Sequence, residues 1–212
     1  MIVRPAPQFH FRTVAITCAT CVFVLTVGCT NKTASLPDAP RLTPNVMMRD
    51  VTFHSAALNR EMQYRVVLPK GLAPAQKLPA VYLLHGGGAD FRSWTNDSDV
   101  ARFAENGLIL VMPEGKSSYY INAAGRAHDR YEDYIVSDLI ADSQRKFPIE
   151  GGREHRAIIG ISMGGFGAIN LSLKHPDLFA FAGALSPAVD VPSRPFSIKR
   201  IGQWREHSSI FG

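Results

Sequence analysis

The spacing of hydrophobic residues changes part-way along the chain. In the segments 51–54 and 63–68, β-branched and apolar residues alternate or cluster between polar stretches, which predicts two strands joined by a turn near Asn59. The later runs 80–84 and 108–112 are apolar at nearly every position. Runs of this kind are typical of strands that are buried on both faces of a sheet.

A second pattern, with apolar residues at helical intervals, lies between and after these strands. It predicts a helix over 131–147 that ends before Pro148, and a short helix at 99–106 that is closed by Gly107. The later elements are predicted as a strand at 157–161, a helix at 164–175 and a strand at 179–185. Because strands and helices alternate, the sequence predicts an α/β fold whose mostly parallel sheet is flanked by helices.

The first 28 residues have the pattern of a secretory signal peptide. Arg4 and Arg12 precede an uncharged, mostly apolar run at 13–28, which is shorter than the roughly 20 residues of a membrane-spanning helix. The run continues into LTVGC, which resembles the lipobox of bacterial lipoproteins except that Thr26 stands where leucine is usual. The resemblance implies cleavage before Cys29 and a lipid on that residue. A plain secretory signal and an uncleaved membrane anchor are the alternatives, and all three place the protein outside the cytoplasm.

The remainder divides into a linker and one domain. Residues 29–48 contain three prolines among small polar residues, which predicts an extended linker, and the folded body is expected at 49–212. All three cysteines precede residue 30, so the body contains no disulfide and no thiolate metal site.

Composition and charge exclude several classes of protein. Hydrophobic residues make up 46% of the chain, which excludes a disordered or collagenous protein. The net charge is +5 and no run of five basic residues occurs, so a nucleic-acid interface is not indicated.

The clearest catalytic pattern is Gly160-Ile161-Ser162-Met163-Gly164, a GxSxG motif between a predicted strand and a predicted helix. Small flanking residues let the backbone close a sharp turn that exposes the serine hydroxyl, and the helix dipole favours negative charge beside it. Ser162 is therefore the candidate nucleophile. The alternative is a plain tight turn or a phosphate cradle, although the lysine of a P-loop is missing and GxGxxG does not fit.

A second motif, His85-Gly86-Gly87-Gly88, directly follows the strand at 80–84. An HGGG loop at this place donates one backbone N–H to a developing oxyanion, and the residue after the nucleophile donates the other. Gly86 or Gly87 together with Met163 is therefore the candidate oxyanion hole. We interpret His85 as an anchor of the loop rather than as a catalytic residue.

The blocks LLHGGGADFRSW, VMPEGKSSYYIN, YEDYIVSDLI and IIGISMGGFGAINLSLKHPDLFAFAGALSPAVD, in this order, resemble the esterase D type of α/β-hydrolases over roughly residues 50–195. That family includes S-formylglutathione hydrolases, feruloyl and acetyl-xylan esterases, and mycolyltransferases. The resemblance implies a serine hydrolase of small-molecule or polysaccharide-linked esters that needs no metal or organic cofactor. It also implies that Tyr119 and Tyr120 line the substrate pocket, with Trp94 either beside them or in the core.

The sequence departs from the family after Ser162. The family order is serine, then an acid, then a histidine, with the last two following later strands, but one clear strand remains here. Asp190 with His207 satisfies the order but not the spacing, and His175 with Asp177 marks a structural corner. We therefore expect an α/β-hydrolase without its last two strands, incomplete at the C-terminus.

Three functions remain open. The leading one is an exported, lipid-anchored serine carboxylesterase that forms an acyl-enzyme on Ser162. The second is an acyltransferase of the mycolyltransferase type, in which an alcohol replaces water. The third is a non-catalytic remnant or surface binding protein without a catalytic acid and base.

Overall fold

The structure is a computed structural model that describes residues 37–193 and 201–212. The predicted signal peptide and the predicted lipidation site at Cys29 lie outside these residues. Among the helices that are described, none has the length and apolar character needed to cross a membrane.

A six-stranded sheet organises the chain, with the strand order β1-β2-β4-β3-β5-β6. The strands are β1 (Val46–Ser55), β2 (Arg60–Pro69), β3 (Ala80–Leu84), β4 (Ile109–Pro113), β5 (Arg156–Ile161) and β6 (Phe181–Leu185). β2 pairs antiparallel with both β1 and β4, whereas β4, β3, β5 and β6 are parallel to one another. The predicted α/β fold with a mostly parallel sheet is confirmed.

Helical segments lie between the parallel strands and after β6. They are α1 (Ser93–Asp97), a 3-10 helix at Val100–Asn106, α2 (Tyr131–Asp133), a π-helical stretch at Tyr134–Leu139, α3 (Ile140–Lys146), a 3-10 turn at Arg153–His155, α4 (Met163–Lys174), a 3-10 turn at Val191–Ser193 and α5 (Ile201–Phe211). The predicted helix at 131–147 is confirmed, except that its middle turn widens to π geometry. Gly107 closes the 3-10 helix with φ 79°, a left-handed conformation that glycine adopts without strain.

The apolar runs of the central strands bury alternate residues on the two faces of the sheet. Tyr82 on β3 and Val111 on β4 lie on the face of the sheet that α2, α3 and α4 cover. Leu83 and Leu110 lie on the opposite face, against the 3-10 helix. All four are essentially inaccessible to solvent. Two-sided burial explains why these strands are apolar at successive positions.

The fold begins earlier than the predicted boundary at residue 49. β1 starts at Val46, which is buried, and Asp38 lies against the side chain of Arg65 on β2. A composition rich in proline and small polar residues indicated a linker, but this ion pair fixes its second half to the sheet. Hydrogen bonding from Arg65 holds the pKa of Asp38 below its ordinary value.

β6 is the last strand within residues 37–193 and 201–212, and it pairs with β5 in parallel. Its apolar side chains are largely accessible, with Phe181 59% and Leu185 48% exposed. The two strands that the family order would place after β6 are not among the described residues.

Candidate active site

Ser162 occupies the sharp turn between β5 and α4. Its φ of 53° and ψ of −112° lie in a region that residues other than glycine rarely adopt. The strained backbone is fixed on both sides, because Ser162 N donates to Leu185 O at 2.9 Å and Ser162 O accepts from Phe166 N and Ala188 N, each at 3.0 Å. The residue is exposed to solvent. The structure thus presents a serine hydroxyl on a strained, well-anchored turn.

The glycines of the motif are required by close contacts between backbones. A Cβ on Gly160 would lie 2.0 Å from Gly164 O, and a Cβ on Gly164 would lie 2.2 Å from Leu84 O at the end of β3. Neither neighbour is a side chain that could move aside. This confirms the steric argument from the sequence, since the turn closes only where these side chains are absent.

The HGGG loop lies directly beside Ser162. An ideal Cβ on Gly86 would be 3.6 Å from Ser162 Cβ, and Gly87 lines the same cavity as Ser162. Met163 is the first residue of α4, so its N–H has no acceptor within the helix. The fold therefore brings together Ser162, Met163, Gly86 and Gly87, the four residues that the sequence predicts as nucleophile and oxyanion hole.

His85 anchors this loop from inside the protein. Its ring is buried, its Nδ1 lies 2.8 Å from Gly86 O, and its Nε2 accepts a hydrogen bond from Gly115 N at 2.9 Å. This pattern fits a neutral imidazole with its proton on Nδ1, and it engages both ring nitrogens. His85 is thus an anchor, as the sequence suggested, and is not available as a base for Ser162.

The substrate-lining role predicted for Tyr120 is wrong. Its ring is fully buried between Gly115 and Gly167, where added Cβ atoms would approach it to 2.4 Å and 2.7 Å. Its hydroxyl donates to His85 O at 3.2 Å. Tyr120 therefore joins the loop after β4 to the HGGG loop and to α4 and has no surface to offer a substrate.

Tyr119 also lies outside the wall of the cavity beside Ser162. Its ring makes edge contacts with Phe166 on α4 and with His207 and Phe211 on α5. Its hydroxyl lies 3.2 Å from His207 Nε2. The geometry gives Tyr119 a packing role between two helices, and it is not among the described residues that line this cavity.

A cavity of about 330 Å³ opens beside Ser162. Its described lining consists of Gly86, Gly87, Ala89, Ser93, Trp94, Asp97, Ser98, Ile161 and Ser162. One wall is therefore formed by α1, which sequence reasoning did not predict as an element. A helix of five residues is too short to show a hydrophobic period. Trp94 was therefore the one sequence feature that pointed to this wall of the cavity.

No imidazole or carboxylate within residues 37–193 and 201–212 is hydrogen-bonded to Ser162 Oγ. His175 Nε2 is 2.9 Å from Glu132 Oε1 at the far end of α4, which fits the structural corner expected there. His207 contacts Tyr119, and no hydrogen bond joins either Asp190 or His207 to Ser162. The described part of the chain contains no cluster of three or more His, Cys, Asp or Glu side chains suited to a metal ion.

A comparison with known families identifies the wider relationship. The family model described as "Putative esterase" matches residues 55–211, which is most of the chain. The chain belongs to this esterase family. The motifs at Ser162 and at His85 both lie inside the matched segment.

Individual members of the esterase family are moderately similar to the chain. The acetyl esterase of Caldicellulosiruptor saccharolyticus is 26% identical over 66% of this chain and 55% of its own length. The diacylglycerol acyltransferase/mycolyltransferase Ag85B of Mycobacterium avium is 34% identical over 58% of this chain and 40% of its own. The chain thus spans about half the length of these curated relatives.

A solved structure shows the same architecture. The fluorophosphonate-binding serine hydrolase F of Staphylococcus aureus matches with a TM-score of 0.64 and 27% identity, over 73% of this chain and 63% of that chain. The fold is that of the α/β-hydrolases, with Ser162 at the turn where this architecture places its nucleophile.

Proposed function

We propose that this member of the esterase family is a serine carboxylesterase whose nucleophile is Ser162. The observation that carries the proposal is the strained turn that exposes Ser162 beside the N–H of Met163 and the backbone of Gly86. A strained backbone conformation costs stability, and strain of this kind is concentrated at functional sites, which favours a catalytic use of this serine. A plain tight turn would not need an exposed hydroxyl at this point.

In the proposed reaction, Ser162 Oγ attacks the carbonyl carbon of the ester. The carbonyl oxygen becomes an oxyanion, which accepts hydrogen bonds from Met163 N–H and from an N–H of Gly86 or Gly87. The positive end of the α4 dipole adds to this stabilisation. The ester C–O bond then breaks, and the alcohol leaves with the proton that Ser162 Oγ has lost. Water attacks the acyl group, one of its protons returns to Ser162 Oγ, and the carboxylic acid is released. Small-molecule and polysaccharide-linked esters are the proposed substrates, as the similarity to an acetyl esterase supports.

Two observations favour alternative functions. The 34% identity to a mycolyltransferase favours acyl transfer, in which an alcohol takes the place of water in the second step. Among the described residues, no side chain that could act as a base is hydrogen-bonded to Ser162 Oγ. This favours a protein that binds a ligand in the cavity without catalysis. Product analysis with and without an acceptor alcohol separates the first alternative from hydrolysis.

A fluorophosphonate probe should label the wild-type chain, and Ser162→Ala should abolish the labelling, because the probe reacts only with an activated serine. Hydrolysis of p-nitrophenyl acetate should fall by about 10³-fold or more. Ser172→Ala is the matched control, since Ser172 Oγ bonds to Ile169 O within α4, and both signals should persist. A folded wild-type chain that is neither labelled nor active would contradict catalysis and favour the binding protein.

We further propose that the protein is exported and anchored to a bacterial membrane by a lipid on Cys29. The support is the apolar run at 13–28 that ends in LTVGC. Expressed in a bacterium, Cys29→Ser should lose incorporated palmitate and move from the membrane fraction to the soluble fraction. Cys21→Ser, a change inside the apolar run, should leave both unchanged. Membrane retention of Cys29→Ser without any lipid would favour an uncleaved anchor instead.

A further inference from the structure

The wall that α1 contributes to the cavity carries one charge. Asp97 is the one ionisable side chain among the described residues that line it. Within the described residues, its exposed carboxylate makes no hydrogen bond or ion pair. Neighbouring acids differ in this respect, since Asp90 binds Arg92 at 2.6 Å and Asp99 lies 3.8 Å from Arg41.

Long-range contacts hold this wall in place. Thr95 Oγ1 accepts a hydrogen bond from the buried Arg65 at 2.9 Å, and Thr95 O accepts one from Arg41 N at 2.8 Å. Thr95 itself is fully buried, so the backbone on either side of it is fixed. Trp94 and Asp97 therefore face the cavity from a rigid support, and their positions do not depend on the short helix alone.

The described lining of the cavity leaves the charge of Asp97 uncompensated. The other lining residues are glycine, alanine, serine, isoleucine and tryptophan, so no cation of the described lining neutralises the carboxylate. Because the carboxylate is exposed, water and salt screen its Coulomb interaction with a charged group in the cavity, so the effect on binding is moderate and falls as the ionic strength rises.

We propose that Asp97 sets the charge selectivity of the Ser162 site, favouring esters with a positively charged group near the scissile bond over neutral ones and disfavouring anionic ones. The inference rests on the proposed function, because it names the substrate class of the same site. It assigns Asp97 a role in specificity and none in the chemical step.

Binding of non-hydrolysable ligands tests the proposal independently of turnover. The probes are three amides of 3-phenylpropanoic acid with N-(2-aminoethyl), N-(2-hydroxyethyl) and N-(carboxymethyl) groups, which carry a positive, no and a negative charge. The chain has two tryptophans, so in the full-length Trp204→Phe variant the fluorescence of Trp94 alone reports occupancy of the cavity. At low ionic strength the cationic amide should bind about five- to tenfold more tightly than the anionic one, and 0.5 M salt should reduce the difference.

Asp97→Asn should abolish this charge order, that is, the tighter binding of the cationic amide than of the anionic one. Asp99→Asn removes the same charge two residues away, outside the cavity lining, and should leave the order unchanged. An unchanged order in Asp97→Asn, or no binding of any of the three amides, would overturn the proposal.

Fluorophosphonate labelling of the same preparations separates the role of Asp97 from the proposed esterase function. Charge order without labelling contradicts only the esterase, and labelling without charge order contradicts only the role of Asp97.

Discussion

Gly164→Ala is expected to lower the free energy of unfolding by about 3 kcal/mol or more and to abolish labelling of Ser162. A Cβ at this position would lie 2.2 Å from Leu84 O and 2.7 Å from His85 O, so α4 must move away from the end of β3. That movement would separate Met163 N–H from the HGGG loop. Gly164→Ala is therefore expected to lose both stability and a formed oxyanion hole.

Urea unfolding followed by circular dichroism measures the loss, and two other glycines calibrate it. Gly165→Ala places a Cβ 3.1 Å from Pro187, so the neighbouring chain must shift slightly, and the loss of unfolding free energy should be smaller than for Gly164→Ala. Gly151→Ala meets nothing closer than 3.9 Å and should be close to neutral. A Gly164→Ala protein as stable as Gly151→Ala would show that α4 and β3 are not packed as described.

Arg65→Met is expected to cost about 3 kcal/mol of stability, because it removes the one cation between two carboxylates. All five guanidinium N–H groups are used, by Asp38, Asp50 and Thr95, and Arg65 itself is 0% exposed. Asp38 and Asp50 retain 34% and 42% side-chain exposure, so water recovers part of their solvation. The substitution also frees α1 and should increase the mobility of Trp94.

Denaturant unfolding and the fluorescence anisotropy of Trp94 in the Trp204→Phe background are the measurements. Arg126→Met is the control, since Arg126 pairs with Asp129 at 3.2 Å on the surface, and such pairs contribute about 0–1 kcal/mol. Adding Asp38→Asn and Asp50→Asn to Arg65→Met should restore part of the loss. A cost no larger than that of the control would show that Arg65 does not hold the N-terminal segment to the sheet.

Acid should act on the same ion pair in the wild-type protein. Arg65 lowers the pKa of Asp38 in the folded state, so the unfolded state binds the proton more readily. The stabilisation is therefore complete at neutral pH and is lost as the pH falls below about 4, the ordinary value for an aspartate.

The candidate nucleophile and oxyanion residues could be predicted because their requirements are local. Gly160 and Gly164 are adjacent to Ser162 in sequence, and the steric demands of a strand-to-helix turn act over these few residues. Tyr120 could not be assigned in the same way. Its burial depends on Gly115, which is near it in the loop after β4, and on Gly167, which α4 brings to its ring from a distant part of the chain.

The sequence by itself determined the alternating strands and helices, the buried parallel strands and the turn at Ser162, since each follows from short-range periodicity or from glycine sterics. Tertiary structure alone decided the cavity wall at α1, the fixing of the Asp38 segment by Arg65 and the burial of Tyr120. These features depend on contacts between residues far apart in the chain. A pattern within a short window of sequence does not encode which distant residue will fill, satisfy or cover a given position.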